Sequence, residues 1–519
     1  MHFFIFTQHN ANIQTFLNVY RRREKNNFSA THTNVRFSTL FIYILEVMDT
    51  ATLYQAYLRT RRVTTDSRQI TPGCIFFALK GEHFDGNTFA PQALEQGAAL
   101  CVVSGKWKAE SGTWNDDPRI IGVDDVLATL QALAQHHRRQ LEIPFIGITG
   151  TNGKTTTKEL VHAVLAKRYK TSATRGNFNN HLGVPLTLLA IPEGTELAIV
   201  EMGANHPGEI EALCRIADPD CGLITNVGRA HLEGFGSFEG VVQTKTELYR
   251  WLAGKNGMVF VSADNERLMH EAERLATIPG LRSIIPAYAP DNPAFVPSAI
   301  EKTPLSLLAY GTSAEADIRG TLVGCAPYLQ FYFEVGDNVY NVRTHLLGEY
   351  NLDNCLAAVA VGLHFGVEPF DIKEAIEAYV PSNQRSEYKE TARGNRLYLD
   401  CYNANPSSMA AAISSFNSLH TPHSTLHTKK VAIIGGMHEL GKEERKEHLR
   451  VVELLEECHL DRVILVGPEW DGLPHPDNMQ LFPDTDSVGT WLKDNPVDGT
   501  TLLIKGSNTN RLWTLATLL

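Results

Sequence analysis

The chain has 519 residues, 43% of them hydrophobic, and a formal net charge of −11. That length exceeds what a single core serves and predicts about three domains of roughly 100–200 residues each. The net acidity argues against general binding of nucleic acid or of acidic membrane surfaces, which need a basic face, so an anionic ligand has to be held by local cations.

The eight cysteines form no Cys-x-x-Cys pair and no His/Cys cluster, which indicates neither a disulfide framework nor structural zinc and suits a reducing cytoplasm. No run reaches the roughly 18 apolar residues of a membrane span. Residues 37–48 come nearest, behind the basic Arg21-Arg-Arg23, but they lie late and lack the small-residue cleavage site of a signal peptide. Residues 1–47 are polar and irregular and read as an extension, either a poorly ordered tail or the product of an upstream start codon. Deleting them is expected to leave activity and melting temperature unchanged; a large fall in either would show that the extension packs on the rest of the chain.

Residues 48–141 alternate short apolar strands, Cys74-Ile-Phe-Phe-Ala-Leu79 and Ala99-Leu-Cys-Val-Val103, with short helical patterns, enough for a small α/β domain. Its polar turns are Thr65-Asp-Ser-Arg68 and Leu79-Lys-Gly-Glu-His-Phe-Asp-Gly86. Arg68 and Lys80 there suit an anion such as a diphosphate; the plainer alternative is that both are only solvated.

In residues 142–381, Phe145, Ile146 and Ile148 read as a buried strand that ends in Gly150-Thr-Asn-Gly-Lys-Thr-Thr156, and residues 158–167 read as the next helix. Backbone N–H groups at a helix start are unpaired and partly positive. A Gly-rich turn at that point surrounds a nucleotide's phosphates, with Lys154 reaching the terminal ones and Thr155 ligating Mg²⁺. The strict pattern has Gly where this chain has Ile148; the glycines stand at 147 and 150 instead, which marks a subclass of the motif.

Apolar runs recur at Leu197-Ala-Ile-Val200, Leu223-Ile-Thr225 and Met258-Val-Phe-Val261, with helical patterns between them. They predict a largely parallel sheet covered by helices on both faces. Ligands of such sheets sit beyond the carboxyl ends of the strands, which selects Glu201 and the stretch 226–231 that ends in His231. Either residue alone reads as solvated or capping. Converging beside a phosphate loop, they suit Mg²⁺, which wants hard oxygens and tolerates an imidazole.

Pro286, Pro290, Pro293, Pro297 and Pro304 then break any long element, and residues 331–335 and 339–342 around Gly336-Asp-Asn338 read as a hairpin, an antiparallel appendage on the parallel sheet. A helix rich in small residues comes next over 351–363, opening with Asn351 and Asn354; Asn351 reads equally as a helix cap and as a base-recognising residue. Residues 382–519 form a third α/β unit with strands at 397–399, 431–434, 463–466 and 502–504 and a helix over 443–458. Its strands end in Asp400-Cys-Tyr-Asn403, Gly435-Gly-Met-His438, Gly467 and Lys505-Gly-Ser507. A Rossmann-like fold facing the phosphate-loop domain makes a cleft whose closure shields a reactive phosphate from water.

Together these stretches resemble the Mur ligase family, from about residue 50 to the end. The form Gly150-Thr-Asn-Gly-Lys-Thr-Thr156 is similar to that family's phosphate loop and accounts for Ile148. Gly176-Asn-Phe-Asn-Asn-His-Leu-Gly-Val-Pro-Leu-Thr187, Glu201-Met-Gly-Ala-Asn-His-Pro-Gly-Glu-Ile210, Ala230-His-Leu-Glu-Gly-Phe-Gly236 and Tyr402-Asn-Ala-Asn-Pro-Ser-Ser-Met409 resemble its D-alanyl-D-alanine-adding branch. The resemblance implies a uridine-binding first domain, a central phosphate-loop ATPase domain with an antiparallel appendage, and a C-terminal Rossmann-like domain. It implies that ATP phosphorylates the terminal carboxylate of UDP-N-acetylmuramoyl-tripeptide. The amine of D-alanyl-D-alanine then attacks the acyl phosphate, in cytoplasmic synthesis of peptidoglycan precursors by a monomer without nucleic acid or a membrane span.

The resemblance also implies site roles. Gly150, Thr151, Asn152, Gly153, Lys154, Thr155 and Thr156 would hold ATP. Thr155 serves a first Mg²⁺, and Glu201 and His231 a second. Lys245 matches a lysine that is carbamylated in the family. Asn351 and Asn354 match adenine-side contacts, and Arg385 and Asp400 match third-domain residues that close on ATP, with Lys505 grouped beside them as catalytic. Asn177, Asn179, Asn180 and Asn403 fall on the substrate side, and Ser67, Arg68 and Lys80 at the uridine diphosphate end. Tyr350, Gln384 and Gly436 depart from the pattern, where His, Gly and Asp are usual, which bears on the adenine-side and third-domain contacts and not on the reaction.

Three rivals make different demands on the chain. A tripeptide-forming sister ligase would carry other sequence at 402–409, and a folylpolyglutamate synthetase would lack the first domain. A non-catalytic nucleotide-sugar binding scaffold would have lost Lys154, Glu201, Lys245 or Asp400.

Overall fold

Strand and helix patterns alternate from residue 60 to the C-terminus, and each block of them closes into its own sheet. The computed structural model describes residues 50–105, 117–276, 305–381, 387–419 and 429–519. The chain divides into two units, residues 1–59 and 60–519. In the first, residues 50–59 are helical. The expected extension 1–47 and the proline-rich stretch that includes Pro286 and Pro297 lie outside the described residues. All three sheets belong to the second unit.

The first sheet has four parallel strands, β1 (Val63–Thr64), β2 (Ile75–Phe77), β3 (Leu100–Ser104) and β4 (Ile120–Val123), in that order. Cys74, Phe76, Ala78, Cys101 and Val103 pack with Ala90, Ala93 and Leu94 as its core. Helix Val126–Gln140, capped by Asp125, fastens this domain to the next. Its buried Arg138 donates to the carbonyls of Ala217 and Asp218 at 2.9 and 2.8 Å and to the Asp220 carboxylate at 3.0 Å. A buried guanidinium is tolerated because its donors are satisfied in this way.

The second sheet comprises β5 (Phe145–Thr149), β6 (Thr171–Ala173), β7 (Leu197–Glu201), β8 (Cys221–Ile224), β9 (Met258–Ser262), β10 (Ser306–Gly311), β11 (Ile318–Gly324), β12 (Gln330–Val335) and β13 (Asn338–Arg343). Their order is β13-β12-β11-β10-β9-β8-β5-β7-β6. Strands β5 to β11 are parallel, and β11, β12 and β13 run antiparallel as the expected appendage. The hairpin turn is Gly336-Asp337 alone, with Gly336 at φ +58°; Asn338, expected in the turn, already belongs to β13. Helices Lys154–Leu165 and Asn351–His364 lie together on one face. Their approach explains the small residues of the second, since a Cβ on Gly362 would lie 2.5 Å from Val164 Cγ1.

The third sheet orders β14 (Glu387–Glu390), β15 (Arg396–Asp400), β19 (Thr501–Lys505), β16 (Lys430–Gly435), β17 (Arg462–Val466) and β18 (Met479–Phe482), with only β14 antiparallel. Both faces are covered, one around Met409, Phe416 and Trp470, the other around Val488, Leu492 and Leu512. The helix expected over 443–458 is Glu444–Glu457. Strands β6, β14 and β18, of three or four residues, are too short for alternation to announce them. No helix among the described residues is long and apolar enough to cross a membrane.

Candidate active site

Strand β5 ends at Thr149 and the chain turns into a helix that begins at Lys154. That start precedes the expected one at Lys158, because residues 154–157 carry no apolar stripe to reveal it. Gly150 and Gly153 hold φ of +145° and +77°. A Cβ would lie 2.0 Å from Thr225 Oγ1 at the first and 2.5 Å from Asn354 Oδ1 at the second, so glycine is required at both. Ile148 stands instead in the strand, fully buried. The loop is braced from the β8 turn. The Thr151 N–H donates to the Asn226 carbonyl and the Asn152 N–H to Asn226 Oδ1, each at 3.0 Å. Lys154 Nζ spans the loop, donating to the carbonyls of Gly150 and Thr151 at 2.8 and 3.0 Å.

Glu201 closes β7 and is 1% exposed. Its carboxylate accepts from Thr155 Oγ1 at 3.0 Å and from Asn179 Nδ2 at 2.8 Å. Lys158 Nζ stands 3.9 Å away while donating to the Thr174 carbonyl at 2.7 Å. Thr155, Asn179 and Glu201, expected at a first metal, on the substrate side and at a second metal respectively, thus share one hydrogen-bonded cluster. Lys158 was missed, although its spacing from Thr155 places both on one helix face. Asn180 Oδ1 accepts from the Leu182 and Gly183 N–H groups and so braces the turn that leads into helix Gly183–Leu189, a structural duty the sequence reading did not assign.

His231 comes after β8 with φ +49°, and its Nδ1 meets the third-domain Glu439 carboxylate. Burial pushes the imidazole below its usual range, against the raising pull of Glu439. Lys245 ends helix Phe238–Lys245. It is 2% exposed and donates to the Ala204 carbonyl at 3.2 Å. Burial first, then the charge of Lys154, drives its pKa well below that of an ordinary lysine.

Asn351 and Asn354 are buried, and their amides are engaged within the protein. Asn354 Oδ1 accepts from Thr157 Oγ1 at 2.9 Å, Asn354 Nδ2 donates to Asn351 Oδ1 at 2.8 Å, and Asn351 Nδ2 donates to the Leu347 carbonyl at 2.7 Å. Asn351 is therefore not the helix cap. That position is Tyr350, which makes no side-chain cap hydrogen bond. In the third domain, Lys505 Nζ donates to Asp400 Oδ2 at 2.7 Å and to the Asn403 carbonyl at 3.1 Å. Arg385 lies outside the described residues.

One cavity of about 1030 Å³ collects these groups. Its lining includes residues 151–156, Asn177, Asn179, Asn180, Glu201, His231, Asn351, Asn354, Asp400, Asn403 and Lys505. That volume is at the upper end for small-molecule sites and leaves room for more than one ligand. Lys245 does not line it, but the carbonyl to which it donates belongs to Ala204, which does. Ser67, Arg68 and Lys80 do not line it. Arg68 pairs with Asp66 at 2.9 Å, and Lys80 stands 3.8 Å from Asp85, each within its own turn. Hydrogen bonds from Arg68 hold the Asp66 carboxyl well below the usual carboxylate range.

Known proteins resemble this chain along most of its length. Residues 59–138 match the model described as Mur ligase family, catalytic domain, residues 148–278 match the Mur ligase middle domain, and residues 384–508 match the Mur ligase glutamate ligase domain. The chain is 33% identical to the UDP-N-acetylmuramoyl-tripeptide--D-alanyl-D-alanine ligase of Bacillus subtilis, over 87% of this chain and 91% of that protein. It is 32% identical to the Escherichia coli ligase of the same name, over 86% and 90%. Among solved structures it resembles MurF from Acinetobacter baumannii (TM-score 0.73, 27% identity, 88% and 93% covered). It also resembles MurF from Thermotoga maritima in complex with ADP (TM-score 0.72, 27% identity, 88% and 97% covered). With three domain models matched in order and identity above 30% along most of its length, the chain belongs to the Mur ligase family.

Proposed function

We propose that this chain joins D-alanyl-D-alanine to UDP-N-acetylmuramoyl-tripeptide at the expense of ATP, through an acyl phosphate, as a cytoplasmic monomer. The observation that carries the reading is the single cavity in which the phosphate loop, the buried Glu201 and the third-domain pair Asp400–Lys505 face one another. A phosphoryl donor, its acceptor carboxylate and an incoming amine need that convergence. The name and the extent of the relatives in Bacillus subtilis and Escherichia coli support the choice of substrates, and the ADP complex of the Thermotoga maritima protein supports the nucleotide.

The phosphate loop presents first-turn N–H groups and Lys154 to the phosphates. Thr155 and Glu201 suit Mg²⁺, because both offer hard oxygens and Glu201 is a carboxylate kept from water. Among the described residues no three His, Cys, Asp or Glu side chains gather around one point. That fits an ion carried largely by phosphate and water oxygens, whose charge offsets that of the phosphates. His231 can serve a second ion through Nε2, since Nδ1 is taken by Glu439. Asn177 and Asn179 line the substrate side, and the uridine end belongs to the first-domain turns of Ser67, Arg68 and Lys80, reached by an extended ligand. A scaffold reading is disfavoured because Lys154, Glu201, Lys245 and Asp400 all remain.

The test is phosphate release with UDP-N-acetylmuramoyl-tripeptides carrying either diaminopimelate or lysine, with and without D-alanyl-D-alanine. Dipeptide-dependent release is expected with one of them. Its absence with both would overturn the assignment.

A further inference from the structure

The phosphate loop and the third domain meet at one reciprocal pair of amides. Asn405 Nδ2 donates to Asn152 Oδ1 at 2.7 Å, and Asn152 Nδ2 returns a bond to Asn405 Oδ1 at 3.4 Å. Asn405 is 5% exposed. The same Oδ1 accepts from the Ser408 N–H at 2.9 Å and so caps helix Pro406–Ser418. One side chain thus starts a third-domain helix and holds the loop expected to carry the phosphates. On the other side of Asn152, Asn226 binds its backbone in both directions, at 3.0 and 3.1 Å.

Next to this pair the β8 turn docks on the same helix. The Arg229 N–H donates to Ser407 Oγ at 2.8 Å, and a Cβ on Gly228 would lie 2.6 Å from that oxygen. Arg229 also reaches the buried Glu447 at 2.7 Å. The seam is therefore polar, close-fitting and tied to the loop at Asn152, where a shift of the third domain must move the loop or break the amide pair.

We propose that Asn405 is a positioning residue that couples docking of the third domain to the shape of the phosphate loop, so that the acyl phosphate, once formed, meets the dipeptide in a cleft closed to water. The inference rests on the ligase reading above. In an open cleft, water attacks the acyl carbon, the bond from that carbon to the phosphate oxygen breaks, and carboxylate, hydrogen phosphate and one proton result. In a closed cleft the dipeptide amine makes the same attack, an amide forms, and hydrogen phosphate leaves with the amine proton.

Asn405→Ser separates the two duties of the side chain, because serine caps a helix as well as asparagine does but is too short to reach Asn152. The measurements are phosphate released and dipeptide ligated, taken together, for wild type, Asn405→Ser, Asn152→Ala and the double variant. The melting temperature of Asn405→Ser is expected to stay near that of wild type. Its ligation should fall by about tenfold to a hundredfold, the cost of a small misplacement of reacting groups, while phosphate release per ligation rises above the wild-type ratio. The double variant should be no worse than the worse single one, as for two residues that act through one contact. Additive losses with an unchanged ratio of phosphate to product would overturn the coupling. A wild-type enzyme without dipeptide-dependent release would instead overturn the ligase reading itself.

Discussion

Lys154→Ala is expected to lower ATP turnover by a factor of about 10² to 10³, the usual consequence of removing one preorganised electrostatic contact to a transferring group. The fold should survive. The ammonium holds the carbonyls of Gly150 and Thr151, but the loop keeps its braces from Asn226 and its two positive-φ glycines. The loss therefore falls on the chemistry, where nothing else in the loop carries a full positive charge. Lys154→Arg should restore little, because a planar fork does not replace a compact ammonium at that short reach. Phosphate release read beside a melting curve checks both halves. Near-normal turnover in a folded Lys154→Ala enzyme would show that the phosphate loop is misassigned.

The loop was legible because each of its parts leaves a local signature. An apolar strand, glycines where φ is positive and a helix behind them all lie within about twenty residues of sequence. The same holds for Glu201 and His231, which a rule about strand ends selects without any knowledge of partners. The hidden features depend on long-range pairing. Asn354 bonds Thr157 across 197 positions and Asn405 bonds Asn152 across 253, and no periodicity reports such contacts. Lys158 shows a different limit, since a lysine on an amphipathic helix reads as surface until the helix beneath it is seen to bury Glu201. The first-domain charges show a third limit, since their local pairing leaves no periodic signal. Arg68 and Lys80 looked poised for an anion, but in the structure each is engaged by an aspartate in its own turn, which a ligand would have to displace or share.

Lys245→Ala is expected to lose most activity and to recover part of it in millimolar acetate or formate. The proposed reason starts from burial. At 2% exposure, with the Phe235 ring centroid 5.3 Å from Nζ, an ammonium is disfavoured, and the charge of Lys154 disfavours it further. Since the pKa lies well below that of a free lysine, the neutral amine is the abundant form over the pH range between the two values. That amine can add its lone pair to CO₂ and lose one proton, giving a carbamate that behaves as a long carboxylate. The two divalent cations proposed beside Glu201 would favour such an anion, whereas an ammonium there would add repulsion. Alanine leaves space for a small free carboxylate. Lys245→Arg fills that space and restores a positive charge, so it should not be rescued. Lower pH should deplete the neutral amine and weaken the wild-type enzyme in CO₂-poor buffer, while leaving acetate-rescued Lys245→Ala less affected. Labelled bicarbonate should report the carbamate carbon directly in the wild type. Full turnover of Lys245→Ala without added carboxylate and without CO₂ would remove the carbamate from the mechanism.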